Sequence, residues 1–186
     1  MSRAKWILSI IAIVAVIALF LTVRHEEYKH SIDQNMAKMG NDYARDGVMP
    51  VEDFQRINNI AANVQQSGSI SNADLEWSLN FLHSHTAAGY TGEMARANLL
   101  YALEPLKNFP RDQEQEIFQA VLPLLGNAPE YNDGLDKVRA TIIMGKLKDP
   151  RAVPYLTLLL RKPPPLSTRA TEALANIEHT TGSKGA

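Results

Sequence analysis

Lys146–Leu160 reads KLKDPRAVPYLTLLL, and the order of residue types in this stretch decides the fold. Asp149 is a short acceptor placed to bond the free N–H groups at a helix start, and Pro150 follows where a helix needs no donor. Pro154 lies one turn later. That is compatible with a helix only if Pro150–Val153 form a tight opening turn and the regular helix starts near Pro154. Leu156, Leu159 and Leu160 recur at helical spacing and are expected to form one buried face. Upstream, Val138 to Leu147 reads as another amphipathic helix. Two helices therefore meet at a short, stiff corner.

The run from Asp149 to Pro154 with its following leucines resembles the turn of a HEAT-type helical repeat, of the short bacterial kind also found in bilin-lyase-like proteins. The first helix of such a repeat carries small apolar residues, then Gly or Ala, then Leu or Ile, as in Ile143-Met144-Gly145-Lys146-Leu147. Similar copies stand at Ala173-Leu174-Ala175-Asn176-Ile177, preceded by Arg169 and Ala170, and at Arg96 to Leu103, closing with Leu106. Equating Leu103, Met144 and Leu174 gives offsets of about 41 and about 30 residues, inside the range of helix-pair repeats. The earlier corner departs from the pattern, with Asn108-Phe109-Pro110-Arg111 in place of Asp-Pro-Arg. The resemblance covers Gly134–Ile177 well and Thr91–Gly126 partly. It implies an all-α fold: a short right-handed α-solenoid of antiparallel helix pairs. It also implies two roles, a protein-binding scaffold or an accessory, chaperone-like part in handling a bilin-type cofactor. The residues themselves specify no cofactor.

The chain has 186 residues, 45% of them hydrophobic, a formal net charge of -1 and no cysteine. The missing cysteines exclude disulfides, thiolate catalysis and Cys-ligated metal. The charge balance argues against nucleic-acid binding, which uses a basic face.

Trp6 to Val23, WILSIIAIVAVIALFLTV, holds no charged residue. As a helix it would span roughly 27 Å at about 1.5 Å per residue, close to the bilayer core of about 30 Å. A cleaved secretory signal is the competing reading, but the run ends Leu19-Phe20-Leu21-Thr22-Val23-Arg24 without a small-x-small site. The expectation is a single-pass anchor at residues 6–23. Arg3 and Lys5 precede it, which favours a cytoplasmic N-terminus and an extracytoplasmic domain in the cell membrane. The expected organisation is an anchor over 1–23, a juxtamembrane stalk over 24–50, a repeat domain over 51–178 and a loose tail over 179–186.

In the stalk, Tyr28, Ile32, Met36, Met39 and Tyr43 keep steps of three and four. This stripe reads either as a dimerising seam, which would make a homo-oligomer, or as a face packed on the chain's own repeats. Gly47-Val48-Met49-Pro50 ends it. Helices are expected over Val51–Gln66, from Ser71 (an N-cap, with Asp74 three residues on), after Thr91 as cap, over Arg111–Leu125 with Pro123 distorting the last turn, and over Ser167–Glu178. Lys162-Pro163-Pro164-Pro165 stops the helix before the last one. No alternating run supports a strand.

No catalytic motif is present: no Gly-x-Ser-x-Gly elbow, no phosphate loop and no His-Glu-x-x-His. His83-Ser84-His85 reads as a polar helix end, since no third ligand stands at fixed spacing. His25 and His30 read as interfacial residues beside the membrane exit. Glu104 falls where such repeats carry Gly or Ala, and is either exposed at a bend or a contact.

What remains is a surface. In a stack of helix pairs the second helices would expose Gln113, Gln115, Gln119, Arg151, Tyr155, Thr157 and Arg161. Tyr and Arg are frequent anchors in protein interfaces. Tyr155, Arg151 and Arg161 are therefore the candidate contacts with a partner protein. For Arg151 the competing reading is a bond to a neighbouring Asp or helix carbonyl inside the corner.

Overall fold

A computed structural model describes residues 34–85, 90–126 and 134–182. The chain divides into two compact units, Met1–Asp42 and Tyr43–Ala186. In the first unit the described residues, from 34 on, are helical. The expected anchor over 6–23 lies outside the described residues, as do Tyr28 and Ile32 of the stalk stripe. Among the described residues no helix is long and apolar enough to cross a membrane.

Every regular element among the described residues is helical. The second unit holds α1 (Val51–Ser67), α2 (Asn72–Ser84), α3 (Tyr90–Leu103), α4 (Glu114–Val121) with a 3-10 turn Leu122–Leu125, α5 (Leu135–Leu147), a 3-10 turn Pro150–Ala152, α6 (Val153–Leu159) and α7 (Leu166–Gly182). α1 packs on α3, α3 on α5 and α5 on α7, while α2 meets α4 and α6 meets α7.

Local chemistry sets most boundaries. Gly47 and Gly68 take left-handed φ values of 69° and 71°. Gly68 ends α1, its N–H reaching the Val64 carbonyl at 2.7 Å, the usual use of glycine one residue past a helix. The Ser71 hydroxyl accepts the Asp74 N–H at 3.1 Å and donates to the Asp74 carboxylate at 2.8 Å, opening α2 as the spacing predicts. α3 begins at Tyr90, so Thr91 lies within the first turn rather than before it. α4 starts later than the pattern suggests, because Pro110 to Gln113 form a turn closed by the Gln113 N–H on the Pro110 carbonyl. Pro123 converts its last turn to 3-10 geometry, as expected. α7 runs to Gly182, past the predicted end at Glu178.

One α1 face buries Phe54, Ile57, Ile60 and Val64, a stripe at three- and four-residue steps. Tyr43 meets Phe54 edge-on at 5.3 Å, so this member of the stalk stripe is engaged by its own domain. α3 and α5 each lie between two neighbours and bury residues on more than one side. Leu99, Leu100 and Leu103 of α3 and Ile143 and Met144 of α5 are fully covered, each such burial contributing about 1.5–3 kcal/mol. Small residues set the helix spacing: Ala95, Ala97 and Ala102 in α3, Ala140 and Gly145 in α5. The interface of α3 with α5 also carries polar groups. Glu93 accepts the Leu135 N–H at 2.8 Å and caps α5 from its neighbour. A Cβ at Gly134 would stand 2.3 Å from the Glu93 carboxyl carbon, so a side chain there would displace the Glu93 cap.

The predicted corner is present. Asp149 precedes a 3-10 turn, Pro150–Ala152, and the regular helix starts at Val153. Leu156 and Leu159 are buried, but Leu160 is 42% exposed, contrary to the expected three-leucine face. The reason is local. From Leu160 to Lys162 the N–H groups bond three residues back, to Thr157, Leu158 and Leu159. The regular helix has ended at Leu159, so Leu160 lies beyond the packed face.

Candidate protein-interaction surface

The corner between α5 and α6 is locked from within. Asp149 Oδ1 accepts the Arg151 N–H at 2.9 Å, which caps the turn. The Arg151 Nε donates to both Asp149 oxygens at 3.0 Å, and its Nη2 donates to Gln115 Oε1 at 2.7 Å. The guanidinium lies 4.3 Å over the Phe118 ring. Arg151 thus ties the corner to α4 through a fork and a ring face that lysine does not reproduce. These are the internal bonds that competed with partner binding as the reading of this residue.

The Arg151 side-chain hydrogen bonds hold the Asp149 carboxyl below its ordinary value of 3.8, against a smaller opposing effect of burial. A lowered folded value contributes stability that is complete above the unfolded value and is lost as pH falls through the folded one. Asp149→Ala should therefore cost about 1 kcal/mol at neutral pH, the usual loss of a cap. The gap between variant and wild type should narrow below pH 3.8, as followed by urea unfolding across the acid range.

Beyond the corner, α6 exposes apolar surface. Tyr155 is 38% exposed and Leu158 50%. Tyr155 and Leu158 stand at i and i+3 within α6 and share one side of the helix, with Arg151 in the turn before it. Gln115 and Gln119 of α4 are also exposed, and Arg151 joins the two helices through Gln115. Arg161 is exposed and lies just past the end of α6, its N–H bonding the Leu158 carbonyl. Exposed side chains at and beyond the corner thus include Arg151, tied to Asp149 and Gln115, Tyr155 and Leu158 on the helix, and Arg161 just past its end. Leu158 belongs with Tyr155, and its i+3 spacing was the available signal; the run of leucines concealed it. Gln113 does not belong, since its Oε1 is buried without a hydrogen-bond partner.

Of the other polar candidates, His85 and Glu104 have structural partners, and His25 and His30 lie outside the described residues. His85 stacks on Phe81 with ring centres 3.7 Å apart, and its Nδ1 lies 3.0 Å from the Phe81 carbonyl. Among the described residues no group of three His, Asp or Glu side chains is placed to hold a metal ion. Glu104 is a contact: Arg139 Nη1 donates to its carboxylate at 2.5 Å, and Lys146 donates to its backbone carbonyl. Arg139 also covers the Tyr101 ring at 4.5 Å.

Compared with protein-family models, curated proteins and solved structures, the chain matches none.

Proposed function

We propose that this chain is a non-catalytic scaffold: a short right-handed α-solenoid of HEAT type, anchored in the cell membrane through residues 6–23. Its α4–α6 face holds a segment of another protein on the extracytoplasmic side. The side-by-side order of α1, α3, α5 and α7 supports the solenoid reading, as does the Asp-Pro-Arg-Ala-Val-Pro corner. α7 adds the polar outer side of an end cap, exposing Thr168, Arg169, Thr171 and Glu172. The apolar, uncharged run Trp6–Val23 supports the anchor.

The observation that carries the binding role is the pair Tyr155 and Leu158. Both are exposed, and they sit on a helix whose start is fixed by the bonds among Asp149, Arg151 and Gln115. A rigid aromatic and aliphatic pair presented this way loses little entropy on binding. The test is lysine crosslinking of the full-length tagged protein in cells, wild type against Tyr155→Ala/Leu158→Asp. Loss of an anchor pair of this kind costs about 2 kcal/mol or more in binding. The crosslinked partner should disappear in the variant while far-UV circular dichroism stays unchanged. A partner retained by the variant would refute this face as the docking site, and crosslinks only between copies would replace the scaffold with a homo-oligomer.

A further inference from the structure

On the corner side of the molecule an open groove of about 1030 Å³ runs between the ends of α3 and α5, with Asn176 of α7 on its margin. The 104–113 connection holds ten residues, whereas only Lys148 and Asp149 separate α5 from the following 3-10 turn. The groove is the space between these unequal corners. Pro105, Leu147 and Pro150 give it apolar surface.

Its charge is one-sided. Lys107, Arg111 and Lys148 line it, and none of them makes an ion pair among the described residues. Lys146 adds a fourth cation, donating to the backbone carbonyls of Glu104 and Leu106. Of the two carboxylates, Asp149 is neutralised by Arg151, leaving Glu114. The groove therefore carries four cations without a carboxylate partner among the described residues against one unpaired carboxylate, in a chain whose net charge is -1.

Two of the cations are held by backbone devices. The Lys107 N–H bonds the Gly68 carbonyl at 3.1 Å, and its stem fills the space where a Gly68 Cβ would stand, 2.9 Å from Cδ. Lys148 adopts a left-handed φ of 56°, the position after a helix at which glycine is free of strain. A lysine kept there costs backbone strain, and such strain concentrates at functional positions.

We propose that this groove binds an acidic, extended segment of a partner protein, with Lys107, Arg111 and Lys148 facing its carboxylates. The inference rests on the scaffold reading and assigns a second, charge-selective contact to it. A flat anionic bilayer does not follow a concave floor. Single-stranded nucleic acid uses exposed aromatic platforms, whereas Phe109, the aromatic residue lining the groove, is buried.

The test is fluorescence anisotropy with full-length protein in non-ionic detergent. The probe is a labelled peptide of Glu-Glu-Leu repeats, compared with its Lys-Lys-Leu counterpart, labelled oligo(dT) and phosphatidylglycerol mixed micelles. The Glu peptide should bind, more weakly as salt rises. Lys107→Glu/Lys148→Glu should weaken it about tenfold or more, since like charges are then juxtaposed. Lys148→Gly should weaken it while Tm stays level or rises, which separates binding loss from unfolding. Equal binding of both peptides would overturn the proposal, and so would indifference to the charge reversal. Preference for oligo(dT) or the micelles, lost in the same variants, would assign the groove to that ligand instead. Failure of the peptide arm with crosslinking through Tyr155 and Leu158 intact removes the groove and leaves the scaffold reading standing.

Discussion

Asp136→Ala is expected to destabilise the domain by about 3–5 kcal/mol, because it leaves a buried guanidinium without its counter-charge. Arg96 Nε and Nη2 both lie 2.7 Å from Asp136 Oδ2, and the two side chains are 2% and 3% exposed. Arg96 Nη1 also donates to the His85 carbonyl at 2.8 Å, and Asp136 Oδ1 accepts the Lys137 N–H at 2.7 Å. The pair ties the helix α3 to the start of α5 and to the end of α2. Its net stabilisation is another matter. Burial is the largest influence on Asp136 and holds its carboxyl above the ordinary value of 3.8, despite Arg96. A raised folded value means that what this group adds to stability is complete below the unfolded value and is lost as pH rises through the folded one. The pair thus links α3 to α5 at a desolvation cost that offsets part of what it contributes to stability. The consequence is a non-additive cycle. Arg96→Met should also cost about 3–5 kcal/mol, and Arg96→Met/Asp136→Leu should return to within about 1 kcal/mol of wild type. Urea unfolding of the four proteins at neutral pH measures this, and additive losses would show that the pair stabilises outright.

Gly145→Leu should cost more than about 3 kcal/mol, beyond the usual range for overpacking. A Cβ at Gly145 would stand 2.8 Å from both Cα and Cβ of Ala173. One of these is backbone, so α7 as a whole must move away from α5. Gly145→Ala sets two effects against each other. Alanine gains about 1 kcal/mol in helix propensity over glycine, while the clash costs about 1–3 kcal/mol. With backbone as the obstacle the clash wins, and a net loss of about 1 kcal/mol is expected. Ala173→Gly in the Gly145→Ala background should recover only part of the loss, because it removes the Ala173 methyl and leaves the backbone carbon in the way. Thermal unfolding of the single and double variants checks the order, and a Gly145→Leu variant as stable as wild type would contradict the close packing of α5 on α7.

Glu104 follows Leu103 as Gly145 follows Met144, yet tolerates a long side chain. α3 has ended at Leu103, so the side chain leaves the helix interface and meets Arg139. The same sequence position relative to a leucine or methionine thus has opposite steric demands, depending on whether the helix continues.

Features governed by near neighbours in the chain were legible before the structure. Asp149-Pro150 with Pro154, Ser71 with Asp74, and Pro123 each act within four residues, and the structure places the corner, cap and distorted turn at or beside these positions. Features that depend on what packs alongside were not. Arg96 and Asp136 are separated by 40 residues, and neither looks unlike a surface charge in its own helix. Leu160 followed the expected stripe, but the regular helix ends at Leu159. Gln113 looked like an exposed glutamine because the start of α4 was placed too early. The candidate face was legible in Tyr155, whereas Leu158 was hidden among leucines of the same type. Arg151 was recognisable as a corner residue from Asp149 two positions before it, but its bond to Gln115 required the packing of α4 beside the turn.

The most direct test of the scaffold proposal is site-specific photocrosslinking in intact cells, with benzoylphenylalanine at position 158 of the full-length chain and, as control, at position 172 on the polar side of α7. One dominant partner protein should attach through position 158 and be absent from position 172. No adduct at 158, or the same adducts from both positions, would contradict the scaffold role.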